Sequence, residues 1–149
     1  MIKTLIGQEM RVRDVMTSEV IAIPYGATVA QAGDILHAAS ISGAPVTGSG
    51  GRVLGIVSRS DLVDPRHKHA PDAPIADVLT RVVFAVRADD PVLWAVRLMA
   101  EERVHRAIVT DEAGVMAGIV TPMDVLRSMI PKNVQGPLGV GFTYVDLRR

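Results

Sequence analysis

The sequence contains no cysteine. Disulfides, thiol nucleophiles and thiolate metal sites are therefore excluded, and the composition suits a reducing compartment. Aromatic residues are almost as scarce, with two Phe, two Tyr and one Trp. The core must be aliphatic, and a hydrophobic content of 48% supplies it. Neither sign of charge prevails, since 16 basic residues face 16 acidic ones. A nucleic-acid partner, which selects for a net basic face, is not expected. Nowhere do about 18 uncharged apolar residues run together, the minimum for a membrane-spanning helix, so no membrane association is expected either. The apolar run within Met1–Met10 is too short for the core of a signal peptide. These absences predict a soluble, unexported, cytoplasmic protein. With 149 residues the chain has room for one ordinary domain or two very small ones.

What is present is an internal repeat. A shift of 63 positions lays Gly55-Ile-Val-Ser58 on Gly118-Ile-Val-Thr121, Asp61 on Asp124, Val46-Thr47 on Val109-Thr110, and Asp14-Val15 on Asp77-Val78. Two copies are too few for a solenoid, which needs about three. Copies too small to be stable alone are expected to pack on one another. The sequence divides into an N-terminal extension (1–12), a first copy (13–64), a linker (65–74), a second copy (75–130) and a C-terminal tail (131–149). The linker is marked by Pro65, Pro71 and Pro74 around Arg66-His-Lys-His69, a composition that continues neither helix nor sheet. In the tail, Gly136–Gly141 reads as a loop and Phe142–Val145 as a short edge strand.

Each copy spells strand, helix, strand, strand, helix. Val20–Ile23 is a β-branched run ended by Pro24. Thr28 with Gln31 has the form of a capping box, whereas Asp90 followed by Pro91 predicts an Asp N-cap in the second copy. Val29, Ala32, Leu36 and Ala39 share a helix face, as do Val92, Ala95, Val96 and Met99. Ala44–Thr47 and Arg52–Val57 form two strands around the Gly48–Gly51 turn, and the apolar run Val53–Val57 predicts a strand covered on both faces. A second helix follows near Ser60, matched by Met123–Met129. The fold class is α+β, two tandem βαββα units packed as a pseudo-twofold pair.

These residues resemble a known family. A βαββα unit opening with Asp14-Val-Met-Thr17 or Asp77-Val-Leu-Thr80, and closing with Gly55-Ile-Val-Ser-Arg-Ser-Asp61 or Gly118-Ile-Val-Thr-Pro-Met-Asp124, is similar to the CBS domain. The resemblance covers roughly residues 10 to 130 and implies a stand-alone pair with nucleotide pockets between the units. It implies that Asp61 and Asp124 hold a ribose diol, that Ser58 and Thr121 bond ribose or phosphate, and that the first strand and the Gly-hydrophobic segment sandwich adenine. The implied ligand residues are Asp124, Thr121, Arg106, His105, Val83, Ala85 and Ile119 in the second copy, with Asp61, Ser58, Val20, Ala22 and Ile56 in the first. The chemistry is coherent. One carboxylate can accept both hydroxyls of a cis-diol, a helix N-terminus attracts phosphate, and Gly55 and Gly118 permit close approach of a ligand.

A second reading fits the same motif. Ser58 with Asp61 and Thr121 with Asp124 are capping boxes, and Pro122 stands where a helix start favours proline. Capping and binding can coexist if the hydroxyl caps while the carboxylate turns outward. The copies also differ. His105-Arg106 stands where the first copy has Ser42-Gly43, and a guanidinium fork suits phosphate oxygens. Phosphate is therefore expected on the His105/Arg106 side. Ile108 replaces the proline usual in the family, which Pro45 keeps, so the backbone that carries Arg106 departs from the family pattern. Alternatively Arg106 is a solvated strand-end charge and His105 an ordinary half-buried histidine. Arg59 is either the first copy's cation or an exposed helix-start residue. Trp94 is either core or interface, and the seven methionines read as gap filling.

Catalysis is not expected. The four histidines are dispersed, no Gly-x-Ser-x-Gly or phosphate-binding Gly-rich loop is present, and two linker histidines without a third ligand do not make a metal site. The expectation is a regulatory module sensing AMP, ADP or ATP, with no required cofactor. The alternatives are an S-adenosylmethionine binder, or a structural dimerisation or docking module with empty pockets. A homodimer is expected, with a separate, unnamed protein as the regulated partner.

Overall fold

The computed structural model describes residues 10–64, 70–81 and 83–130. A short helix α1 (Val12–Val15) is followed by β1 (Ile23–Pro24), α2 (Val29–Ala38), β2 (Gly43–Thr47), β3 (Val53–Ser58) and α3 (Arg59–Val63). A turn of 3-10 helix at Ile75–Asp77 then leads to β4 (Ala85–Arg87), α4 (Val92–Glu101), β5 (Ala107–Thr110), β6 (Met116–Val120) and α5 (Pro122–Ser128). The architecture is α+β. Two three-stranded sheets, ordered β1-β2-β3 and β4-β5-β6, each combine a parallel edge pair with an antiparallel hairpin. Both hairpins carry an irregularity at the same place, Val46/Thr47 and Val109/Thr110, so the repeat extends to the backbone.

The two long helices begin differently, the first as the sequence predicts and the second not. Thr28 and Gln31 form the expected reciprocal box, at 2.9 and 3.2 Å. Asp90 does not cap its helix. Its Oδ2 accepts from the Arg87 N–H at 2.7 Å, closing the turn after β4. No cap is needed there, because the Val92 N–H donates to the Met10 carbonyl at 3.0 Å. The first turn of α2 is likewise covered by the end of the linker, with Val29 donating to Ala73 O and Ala30 to Pro71 O.

The first strand is shorter than Val20–Ile23 suggests. Pairing begins at Ile23, opposite Val46, and Val20–Ala22 leave the sheet. Pro45 explains this, since it has no N–H to donate. In the second copy Ile108 donates to Phe84 O at 3.0 Å, and the ladder starts one residue earlier, at Ala85 opposite Ile108. In β3, Gly55 and Val57 are buried while Val53, Leu54 and Ile56 are half-buried. That strand is packed on one face and only partly covered on the other, not covered on both.

The cores do not follow the copies as written in the sequence. Ile23, Leu36, Val46 and Val57 of the first copy pack with Ile75 and Leu79 from the opening of the second. Val86, Val92, Met99, Val109 and Val120 of the second copy pack with Val12, and with Met10 and Met16 against it. The two opening segments are exchanged. Each also adds a bridge to the other copy's hairpin: Thr80 and Ile56 exchange backbone hydrogen bonds at 2.8 and 2.9 Å, and Thr17 and Ile119 at 2.9 and 3.0 Å.

Among the described residues no helix is long and apolar enough to cross a membrane. The Arg66–His69 stretch, the Gly136–Gly141 loop and the Phe142–Val145 strand lie outside the described residues.

Candidate functional site

The exchange of opening segments creates two clefts, each shared by both copies. The first, about 460 Å³, is bounded by Val20, Ile21, Gly43 and Pro45 of the first copy and by Ile119, Thr121 and Asp124 of the second. The second, about 510 Å³, is bounded by Ile56, Ser58 and Asp61 of the first copy and by Thr80, Phe84 and His105 of the second. Both fall in the size range of small-molecule sites. Arg106 and Ser42 line both clefts. The sites are related by the repeat: Ile21 corresponds to Phe84, Ile119 to Ile56, Thr121 to Ser58 and Asp124 to Asp61.

The closing motifs are built as capping boxes. The Ser58 N–H and hydroxyl both donate to Asp61 Oδ2, at 2.7 and 2.6 Å, while the Asp61 N–H returns to Ser58 Oγ at 3.3 Å. Thr121 and Asp124 repeat this at 2.8, 2.8 and 3.3 Å. In each box Oδ2 is saturated, and Oδ1 accepts no hydrogen bond among the described residues. A diol bound side by side to both carboxylate oxygens would therefore have to displace a capping bond.

The phosphate-attracting helix ends that the resemblance implies are modest. The two helices have five and seven residues. Arg59 N–H already donates to Ser42 O at 2.9 Å, and Pro122 has no N–H. An anion at these helix ends would depend on fixed side-chain charge instead.

Gly55 and Gly118 serve a purpose different from the one expected. A Cβ on Gly55 would stand 2.6 Å from the Thr80 carbonyl, and one on Gly118 would stand 2.8 Å from the Thr17 carbonyl. The close approach is by the exchanged opening segments, not by a ligand. This answers why the motif carries glycine three residues before the hydroxyl, which capping alone does not require.

The structure regroups the sequence-derived residues. Asp124, Thr121 and Ile119 face Val20 of the other copy, and Asp61, Ser58 and Ile56 face His105. Asp124 and His105 are thus not in one pocket, although the sequence placed both in the second copy's set. Val20 lines the first cleft as expected, whereas Ala22, Val83 and Ala85 line neither, and Ile21 and Phe84, just before the first strands, supply the other apolar contacts. Alternation along the extended chain accounts for Phe84 turning inward while its neighbours turn away. Arg59 is also outside the clefts, its Nη2 donating to Leu36 O at 3.1 Å at the end of α2. Ser42, Phe84, Thr17 and Thr80 line the clefts without being predicted to, as do Glu19, Ile21 and Arg103. The threonines end the two opening motifs, and Ser42 matches His105, so the repeat itself carried that signal.

Arg106 is half-buried and not solitary. Its Nη2 donates to Ser42 Oγ at 2.8 Å, and Gly43, where any side chain would collide with the guanidinium, leaves it room. Burial lowers its pKa from the ordinary arginine value, against the opposing pull of the Asp61 carboxylate. His105 is exposed. Ser40 and Arg103 follow α2 and α4 in the left-handed region, with φ of 53° and 55°, a common helix-ending conformation that glycine adopts more readily.

Residues 12–67 and again 75–131 match the family described as CBS domain. Among curated relatives, an inosine-5'-monophosphate dehydrogenase of Methanocaldococcus jannaschii is 29% identical over 114 residues, which are 76% of this chain and 22% of that protein. The chain spans about a fifth of the length of the first such relatives. Among solved structures, the CBS domain of a bacterial CNNM/CorC family Mg2+ transporter in complex with ATP is 26% identical. It matches with a TM-score of 0.75 over 86% of this chain and 91% of that one. A CBS domain pair in complex with 5-methylthioadenosine and S-adenosyl-L-methionine shares the fold, with a TM-score of 0.70, 24% identity, and coverage of 79% and 94%.

Proposed function

Because this chain belongs to the CBS domain family, we propose that it is a non-catalytic regulatory module that senses an adenosine-containing ligand, with AMP, ADP or ATP the favoured class. The observation that carries this reading is the pair of mixed clefts. Each joins an aliphatic or aromatic wall to an aspartate whose Oδ1 is open, and the guanidinium of Arg106 reaches both. The ATP-bound transporter domain supports the ligand class. Because each cleft is walled by both copies, a ligand that prefers one spacing of the copies shifts their packing, which is the condition for a signal.

The module works as a homodimer in this proposal, acting on a separate protein. Trp94 is 60% exposed on α4 beside Leu93, and Met123 and Leu126 are exposed on α5, apolar surface that a second copy would cover. The same surface favours a second reading, a docking module in which the capping boxes are the whole purpose of Asp61 and Asp124.

A thermal-shift panel with AMP, ADP, ATP and S-adenosylmethionine separates the two. At about one hundred times its dissociation constant a ligand stabilises the fold by roughly 2.7 kcal/mol, several degrees for a chain of this size. Such a shift, reduced by Asp61→Asn or Asp124→Asn, supports sensing. An unmoved melting point across the panel supports docking.

A further inference from the structure

The two clefts are related by the repeat, yet their charges are not. Around the cleft that contains Asp61 stand Arg103, His105 and Arg106. The equivalent positions around the cleft that contains Asp124 are Ser40, Ser42 and Gly43, all uncharged. That cleft adds an acid, Glu19. Its only cation among the described lining residues is Arg106, which reaches over the Cβ-free Gly43 and is shared with the Asp61 cleft.

We propose that the clefts divide the ligand classes: the Asp61 cleft takes an adenosine polyphosphate, and the Asp124 cleft takes an adenosyl ligand without phosphate, uncharged or cationic. This deepens the sensing reading and rests on it. A polyphosphate in the Asp61 cleft meets two guanidiniums and an imidazole, groups whose forks and donors match phosphate oxygens. It also draws Arg106 toward itself. The Asp124 cleft is then left with two carboxylates, Glu19 and Asp124, and no cation among the described residues that line it. An anionic ligand is repelled there, while a sulfonium or ammonium group is attracted. Arg106 thus links the sites. Filling the Asp61 cleft with polyphosphate removes the one group that would favour phosphate in the other. Taken with its own copy's aspartate, the His105-Arg106 pair would put phosphate at Asp124, whereas His105 stands in the cleft of Asp61.

The test is calorimetric titration of the wild-type chain with ATP and with S-adenosylmethionine, separately and then each in the presence of the other. The expected result is one site for each per chain, with neither displacing the other. Arg103→Ala combined with His105→Ala, both exposed side chains that leave the cores intact, is expected to weaken ATP at least tenfold and S-adenosylmethionine less than threefold. Glu19→Gln is expected to weaken only S-adenosylmethionine. Competition between the two ligands for one site overturns the division, as does ATP binding unaffected by the Arg103/His105 double variant. If no adenosyl ligand binds the wild type at all, the sensing reading falls and the division falls with it. If both bind but with the variants' effects exchanged, the division alone falls.

Discussion

Arg106 donates to the hydroxyl of Ser42 across 64 residues of sequence, 2.8 Å from Nη2 to Oγ, at the seam where the two copies meet. Ser42 is the first copy's counterpart of His105, and Arg106 itself overlies Gly43, its own counterpart. The pseudo-twofold is broken at the point where both clefts converge. Removing the guanidinium by Arg106→Ala is expected to cost under about 1 kcal/mol of stability, since the bond is partly exposed. Its effect on ATP affinity should be at least tenfold, and Ser42→Ala should leave ATP affinity within about threefold. Titration calorimetry beside urea denaturation reads both.

Gly55 and Gly118 hold the copies together by having no side chain. Alanine at either would meet a backbone carbonyl of the exchanged segment, which cannot turn aside. Gly55→Ala and Gly118→Ala are each expected to destabilise by about 1–3 kcal/mol, as overpacking does. Gly26, with nothing within 4 Å of an added Cβ, is the control and should tolerate alanine within about 0.5 kcal/mol. Chemical denaturation midpoints would report the difference.

Ile75 is fully buried in the core of the first copy although it opens the second. Ile75→Ala should cost about 2–5 kcal/mol. A sharper expectation concerns fragments. Residues 10–69, which contain the first copy as the sequence delimits it, lack Ile75 and Leu79 and should give no cooperative transition. Residues 18–81 retain the whole of that core and should fold better, as circular dichroism melting would show.

The exposed apolar faces of α4 and α5 carry the assembly proposal. Trp94→Glu and Leu126→Glu should shift the sedimentation coefficient from dimer to monomer while leaving the melting profile cooperative. A wild-type chain that sediments as a monomer at micromolar concentration overturns the homodimer.

Much of this was written in the sequence. The 63-residue shift, the capping boxes at Thr28, Ser58 and Thr121, and the α+β order all rest on local chemistry: a hydroxyl needs only the amide three residues on, and an apolar stripe needs only its own helix. Failures came where a local signal competed with a distant partner. Asp90 reads as an N-cap until Met10 supplies the acceptor for Val92. Val20–Ala22 reads as strand until Pro45 proves to be its neighbour, with no N–H to give.

What the sequence by itself determined is that there are two alike units, what each is made of, and which residue types close each motif. It could not determine which unit takes which opening segment. Duplication makes the two partners chemically alike, so Thr17 fits the hairpin of either copy, and Thr80 equally. Only the folded chain decides, because connectivity sets which hairpin each segment can reach. That choice places Asp61 with His105 and Asp124 with Val20, and it leaves one guanidinium between two clefts.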